Sequence, residues 1–459
     1  MIPEKTCKTG PVSFFEFKTL MGSLGPFESK PHLAVAVSGG SDSLALTLLS
    51  KVWADNCGGS VTALSIDHGL RDDSTRELDQ LAQWLSMRNI EHIVLRWTGI
   101  KPQTGIQKAA RDERYRLLEN WCRDSGVLHL LLGHNKEDQA ETFLLRLNHK
   151  SGLDGLAGMA SIVEKAHARL LRPLLSISKF RLQETLSIAS QSWLEDPSNK
   201  NYKFERVRIR SLLPALEKVG LNSDTIADIS LRIAEKRIDI ETKTSQLLAT
   251  SCSIFPEGYA LLDGQSFFST RDEISSRALS RILLCIGGTE YAPATSKLLS
   301  LYQKMKAAFN GMSPFWKGAT LGRCRLMPAK GSKAMSFLVC REQRFLPAAI
   351  PVFPNMKCNW DNRFRISIKG LNKETKRTKL QSLGHEGLLS LKATTSILDF
   401  GLPEPVVITL PSLVDDDGVI TVPHLNFFRL SSSKNCIYFS KADFCPTHTL
   451  SGKGFIVAK

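Results

Sequence analysis

The chain has 459 residues, 42% hydrophobic and 23% charged, and its 60 Lys and Arg against 45 Asp and Glu leave a formal net charge of +15. That length exceeds one ordinary domain of about 100 to 200 residues and predicts two or three, while the composition excludes a disordered or collagen-like polymer. No apolar run approaches the roughly 20 residues of a membrane span, no export signal is evident at the start, and the basic surplus favours a polyanionic partner, nucleic acid above all.

From residue 32 to about 150, short apolar runs alternate with helical periods. His32 to Val37 reads as a buried strand that stops at Ser38-Gly-Gly-Ser-Asp-Ser43, and Leu44 to Leu49 begins a helix. Val61 to Asp67 is a second strand; Ser74-Thr-Arg-Glu77 carries a capping-box signature, followed by Leu78, Leu81 and Leu85 on one helix face. A third strand contains Val94, a helix runs from Ile106 to Trp121, Leu128 to Leu132 is a fourth strand, and a helix spans about Lys136 to Asn148. The alternation predicts an α/β fold, a parallel twisted sheet with helices on both faces. Ligands of such sheets bind beyond the carboxyl ends of the strands, which brings Ser38 to Ser43, Asp67-His68 and Gly133-His134 to one rim.

After the loop Ser151 to Ala160 comes a mixed stretch to Leu213, then a polar helical pattern from about Ser223 to Leu248 that reads as a linker. An α/β or mainly helical module to about 310 precedes a β-rich segment containing Val352 to Trp360, Arg363 to Ile368 and Val406 to Leu410. The expected division is an N-terminal extension (1–30), a catalytic domain (31–216), a helical linker with a middle domain (217–330) and a basic C-terminal region (331–459) in a mixed α/β C-terminal half. Between residues 330 and 380 stand twelve Lys and Arg, including Lys330, Lys333, Arg341, Arg344, Arg363, Lys373, Lys376 and Arg377, against three acids. They read either as a solvated face or as a grip on a polyanion. Ten scattered cysteines with no Cys-x-x-Cys pair give no metal or redox motif and fit the cytoplasm.

Ser38-Gly-Gly-Ser-Asp-Ser43 joins a strand to a helix N-terminus, where free N–H groups and the helix dipole attract an anion. Two glycines let the backbone approach a phosphate and three hydroxyls add donors. Asp42 would repel phosphate unless a Mg2+ ion stood between them. The loop lacks the lysine of a Walker A sequence. S-G-G-x-D-S after an apolar strand resembles the PP-loop of N-type ATP pyrophosphatases, which split ATP to AMP and pyrophosphate while adenylating a substrate.

Further segments resemble one branch of that superfamily, the tRNA(Ile)-lysidine synthetases: Asp67-His-Gly-Leu-Arg71, Gln107-Lys-Ala-Ala-Arg-Asp-Glu-Arg-Tyr115, Gly133-His-Asn-Lys-Glu-Asp-Gln-Ala-Glu141 with the helix after it, Ser151 to Met159, Arg172-Pro-Leu-Leu175, and Asp196-Pro-Ser-Asn199 with Arg206 to Arg210. The resemblance covers about residues 32 to 215. It implies that ATP adenylates the wobble cytidine of an isoleucine tRNA with a CAU anticodon, that L-lysine displaces AMP to give lysidine, and that codon reading and charging change accordingly. ATP is then a substrate and Mg2+ its companion; the implied partners are that tRNA, L-lysine and, as an option, a second copy of the chain in a homodimer, with no membrane.

On this reading Ser38, Gly39, Gly40, Ser41 and Ser43 hold the pyrophosphate part of ATP, and Asp42 reaches it through the metal. Asp67 and His68 meet the nucleoside, while Arg111 neutralises charge developing on the phosphates. Asp138 and Glu141 share a helix face beside His134, where carboxylates can hold the lysine ammonium or a second metal. The family often reads H-H-x-D-D-Q here; Asn135 and Glu137 depart from it and are assigned no catalytic role. Arg206 and Arg210 close over ATP or the tRNA backbone, and as a helix Arg206, Arg208 and Arg210 would spread around its surface, whereas as extended chain they would point one way. Rival readings fit less well: a tRNA-thiolating enzyme would draw on Cys57 or Cys122, which have no paired spacing; a glutamine amidotransferase would need its own nucleophile; a catalytically dead tRNA-binding protein conflicts with the intact loop; and a general RNA-binding module would rest on the basic stretch 330–380, whose aromatics are as easily core.

Overall fold

In the computed structural model, which describes residues 10–69, 74–99, 101–102, 104–195, 202, 205–329, 335–369, 378–394, 400–429, 438–451 and 455–456, the chain divides into two compact units. One comprises residues 1–239 with 453–459, the other 240–452.

The first unit opens with α1 (Phe14–Gly22) and continues β1 (His32–Ala36), α2 (Ser41–Asn56), β2 (Ser60–Asp67), α3 (Ser74–Ser86), β3 (Glu91–Arg96), α4 (Ile106–Ser125), β4 (His129–Leu132), α5 (Lys136–Asn148), α6 (Leu153–Leu156), β5 (Ile162–Glu164), β6 (Arg169–Leu171), α7 (Lys179–Ile188), α8 (Glu205–Glu217) and α9 (Ser223–Ser251). The four apolar runs of the sequence are β1 to β4, and α5 has its expected bounds. They form one sheet in the order β3-β2-β1-β4-β6-β5, parallel except for the edge strand β5.

Side chains on these strands alternate between two cores, as a period of two requires. Leu33, Val35 and Val37 pack with α1, α2 and α7 residues such as Phe17, Leu46 and Leu182 on one face, while Ala34 and Ala36 pack with Leu118 and Cys122 of α4 on the other. Burial on both faces is why β1 is a continuous apolar run. Because β1 lies between β2 and β4, successive crossovers leave it in opposite directions, and the crevice they open is at the carboxyl ends of β1 and β4. The Ser74 side chain, Leu70-Arg71 and Asp196 to Asn199 lie outside the described residues.

The division between the units falls inside α9. The second unit contains β7 (Cys252–Phe255), β8 (Tyr259–Asp263), α10 (Gly264–Phe267), α11 (Asp272–Gly287), α12 (Thr295–Phe309), β9 (Ala319–Leu321), β10 (Cys324–Pro328), β11 (Ser336–Arg341), β12 (Ile350–Pro351), β13 (Lys357–Trp360), β14 (Phe364–Lys369), β15 (Lys379–Ser382), α13 (Gly384–Thr394), α14 (Glu404–Val407), β16 (Pro411–Asp415), β17 (Gly418–Val422), β18 (Phe427–Phe428) and β19 (Tyr438–Phe444). Its sheets run β7-β8-β11-β10-β9, β12-β15-β16-β17-β18 and β13-β14-β19. Since β10 and β11 pair across position 330, with Cys324 opposite Arg341, the boundary expected there runs through a sheet.

Two readings of this half need correction. Val406 to Leu410 is not a strand: Pro403 caps and Pro405 opens the single helical turn α14, a placement proline favours, and Val406, Val407 and Leu410 are buried from it. Arg341 and Arg363 are not surface cations: both side chains are 0% exposed and share the buried carboxylate of Asp361 at 2.7 Å. Lys330, Lys333, Lys373, Lys376 and Arg377 lie outside the described residues. Among the described residues, no helix is long and apolar enough to cross a membrane.

Candidate active site

The loop after β1 is folded around its own hydroxyls. Ser43 Oγ accepts from the Ser38 N–H (3.1 Å) and donates to the Gly40 carbonyl (3.0 Å), which closes the turn before α2. Gly39 has φ +82°, and a Cβ there would meet Leu194 Cδ1 at 2.6 Å, so glycine is required on both conformational and steric grounds. Gly40 is the N-cap of α2 and makes no side-chain cap, which leaves the first-turn N–H groups pointing at the crevice. On the facing strand, a Cβ at Gly133 would lie 3.0 Å from Ser43 Cα, so the loops after β1 and β4 meet closely.

Asp42 stands in the first turn of α2, half-buried, with Ser41 Oγ donating to its Oδ1 at 3.2 Å. Burial raises its carboxyl above the usual range and the nearby Asp138 carboxylate adds to this, against Lys179. The Asp42 carboxyl thus feels a second acid, Asp138, and one cation, Lys179. That donor set fits a divalent cation completed by phosphate oxygens; the described residues contain no group of three metal-ligating side chains.

Helix α5 starts with a reciprocal cap. Asn135 Oδ1 accepts from the Asp138 N–H (2.9 Å) and Asp138 Oδ2 accepts from the Asn135 N–H (3.1 Å). Half of the Asp138 carboxylate is therefore engaged in helix initiation, and its other oxygen is left for a ligand. Glu137 accepts the Lys179 N–H at 2.9 Å and so caps α7. These bonds account for Asn135 and Glu137 as residues of the fold.

Glu141, one turn further on, is 1% exposed. Arg210 Nε donates to its Oε1 at 2.6 Å, whereas its buried Oε2 has no partner in the structure. Burial is the main cause that lifts this carboxyl above its usual range, and the Arg210 guanidinium opposes it. Arg206 Nη2 donates to Thr142 Oγ1 at 3.0 Å, while Arg208 turns back to the Tyr202 carbonyl. The segment is helical, so Arg206 and Arg210, four residues apart, face α5 together and Arg208 does not.

His134 sits among cations. Arg172 Nε donates to its Nδ1 at 3.3 Å, which assigns the ring proton to Nε2. Burial, then the charges of Arg172, Arg114, Arg206 and Arg111, hold the imidazole well below its usual range. The cations also depress one another: burial and Arg111 lower both Arg114 and Arg172, and burial with Arg237, Arg206 and Arg172 lowers Arg146. Arg111 itself is exposed on α4 with its guanidinium 5.3 Å from the Tyr115 ring centroid. Such a crowd of cations suits a polyanion.

Asp67 and His68 close the rim after β2. Asp67 Oδ1 accepts from the Gly69 N–H at 2.8 Å, and His68 packs edge-on against Trp97. Burial and Arg114 lower the His68 imidazole, whose buried Nδ1 has no partner. The structure therefore brings the loop, Asp138, Glu141, His134, Arg206 and Arg210 to one crevice, with Asp67 and His68 on its rim. It adds Arg114, Arg172 and Lys179, to which sequence reasoning gave no role. Arg114 was detectable as the residue one helical turn after Arg111; for Lys179 there was no signal.

Residues 14–216 match the family described as PP-loop domain. The chain is 30% identical to a tRNA(Ile)-lysidine synthase of Wolbachia sp. subsp. Brugia malayi, over 90% of this chain and 93% of that one. It is 35% identical to that of Bradyrhizobium diazoefficiens, over 68% and 88%, and 36% identical to that of another Bradyrhizobium, over 66% and 86%. A nucleotide crevice built on the PP-loop and a likeness that runs through both units agree: the chain belongs to the tRNA(Ile)-lysidine synthase family of ATP-dependent ligases.

Proposed function

We propose that this protein joins L-lysine to the wobble cytidine of the isoleucine tRNA with a CAU anticodon, through an adenylated cytidine, with release of pyrophosphate and then AMP. The observation that carries the reading is the pairing, within one crevice, of a phosphate-binding helix start with a buried carboxylate oxygen of Glu141 that has no partner. The first suits a polyphosphate and the second an ammonium. Lysidine would pair with A instead of G, so that the tRNA reads AUA in place of AUG and is charged with isoleucine in place of methionine. The cytoplasm, where ATP, lysine and tRNA meet, is the compartment this chemistry requires.

Ser38 to Ser43 hold the β- and γ-phosphates, and Asp42 would hold Mg2+, which supplies charge neutralisation on the phosphates. Asp67 and His68 border the adenosine. The cytidine carbonyl oxygen attacks the α-phosphorus, pyrophosphate leaves, and Arg111, Arg114 and Arg172 stabilise the charge that develops. His134, neutral with its proton on Nε2, donates a hydrogen bond to a phosphoryl oxygen and does not act as a base. Glu141 receives the lysine ammonium and, being raised in pKa, takes a proton from it to free the amine. The amine forms the new C–N bond at the activated carbon and AMP departs. An anticodon base is already single-stranded, so little unpairing energy opposes its entry.

The test is incorporation of radiolabelled lysine into a CAU-anticodon isoleucine tRNA transcript with ATP and Mg2+, for wild type and Asp42→Asn. Label with the wild type and none with the variant is expected. ATP cleavage that depends on tRNA but leaves lysine unincorporated would refute the nucleophile while keeping the adenylation.

A further inference from the structure

The catalytic sheet ends at β5, a three-residue edge strand, and its open edge is met by the other end of the chain. Ile456 forms an antiparallel bridge with Ile162. Its carbonyl accepts both the Ser161 N–H (2.8 Å) and the Ser161 hydroxyl (3.0 Å), at a residue that is 0% exposed. One residue earlier, the Phe455 ring lies 3.8 Å from the guanidinium of Arg237, which donates to the Asp154 carbonyl at 2.9 Å. Of two successive tail residues, one therefore holds Ser161 directly and the other reaches Asp154, in the turn α6, through Arg237.

That loop, together with Tyr115 of α4, also holds Arg172. The Arg172 N–H donates to the Ser161 carbonyl at 2.8 Å, and Arg172 Nη1 donates to the Ala160 carbonyl at 2.7 Å. Arg172 Nε then reaches His134 Nδ1. We infer that Phe455 and Ile456 are positioning residues of the active site, acting on His134 through Ser161, Ala160 and Arg172; for what the site does, this rests on the proposed lysine ligation.

The contact has the features of an alignment device more than of a core. Ile456 is 44% exposed, so its side chain buries little apolar area. Its hydrogen bonds go to the backbone immediately beneath Arg172, and without them a buried N–H and hydroxyl lose their partner, a penalty relieved only if the loop shifts. From α5, Gln139 grips Met159 by two bonds of 2.7 and 2.9 Å and Arg146 Nη1 donates to the Gly155 and Gly158 carbonyls at 2.6 and 2.7 Å, so residues 155–159 stay anchored when Ser161 is released. That release misplaces Arg172 without unfolding the sheet.

The experiment uses the full-length protein with Phe455→Ala and with Phe455→Tyr, which keeps an aromatic face for Arg237. Amide hydrogen exchange across residues 156–172 is measured together with steady-state lysine incorporation, tRNA affinity and Tm. A guanidinium–ring contact is worth about 0.5 to 2 kcal/mol, so kcat is expected to fall by about two- to thirtyfold in Phe455→Ala. Exchange at Ser161 and Arg172 should quicken, KM for ATP and tRNA affinity should hold, Tm should fall by only a few degrees, and Phe455→Tyr should restore both rate and protection. Unchanged exchange, unchanged kcat, or a loss that tracks Tm and is not restored by tyrosine overturns the inference. If the wild type incorporates no lysine, the proposed reaction fails and the exchange data alone decide: quickening confined to 156–172 and reversed by tyrosine supports the positioning role, and no quickening overturns it.

Discussion

Arg210→Met keeps the apolar stem of the side chain and removes the charge that faces Glu141. The pair is short, 2.6 Å, but asymmetric: Glu141 is 1% exposed and the Arg210 side chain 43%. A hydrogen bond to a charged group contributes about 1.5 to 3 kcal/mol, and with Arg210 nearly half in water, screening places it at the lower end, about 1.5 kcal/mol. At about 2 to 4 °C per kcal/mol for a unit of this size, Tm should drop by about 3 to 6 °C at pH 7. Burial already raises the Glu141 carboxyl, and loss of Arg210 raises it further. In a group whose folded pKa is raised, the fold binds the extra proton, so the destabilisation is absent below the unfolded value of 4.5, grows as pH rises from there and is complete once pH has passed the folded one. The double variant Arg210→Met/Glu141→Gln has no buried charge and should recover most of the lost Tm. Thermal denaturation of wild type, Arg210→Met and the double variant from pH 4.5 to 8 is the assay; equal losses in the single and double variants, or a loss independent of pH, would refute this account of the pair.

Gly39→Ala adds a Cβ 2.6 Å from Leu194 Cδ1 at a φ of +82°; a left-handed alanine costs about 1 to 2 kcal/mol, so calorimetric ATP affinity should fall about tenfold. The His134 imidazole is held neutral in the fold but titrates near 6.5 when unfolded. Wild-type stability should therefore decline as pH drops below 6.5, and His134→Gln should flatten that limb of a pH–Tm profile. Arg341→Met unpairs part of the buried Asp361 cluster and should cost about 3 kcal/mol in denaturant unfolding. Arg344→Ala, at an exposed position, should leave stability unchanged and lower the salt slope of tRNA binding by about one.

The nucleotide half was legible because its signals are local. Leu33 to Val37 is apolar on both faces and ends at a glycine pair, and the sequence around Lys136 carries both a cap and a helical period. What sequence could not reveal is pairing at a distance. Arg341 and Arg363 read as part of a basic run because nothing local says that Asp361 draws both inward. Val406 to Leu410 has a strand-like composition, yet prolines at 403 and 405 set a helical turn. Asp138 was visible as an acid on a helix face, but its use in capping α5 depends on Asn135, the position where the family pattern is broken.

The discontinuity of the first unit bears on how the protein is made. Its residues up to 239 precede the second unit in the chain, yet Ile456, which closes the sheet edge at Ile162, follows that unit. Domains ordinarily fold in the order of synthesis, from the N-terminus. Here the whole second unit is translated while that edge still awaits its partner, so of the two units the one synthesised earlier is completed later.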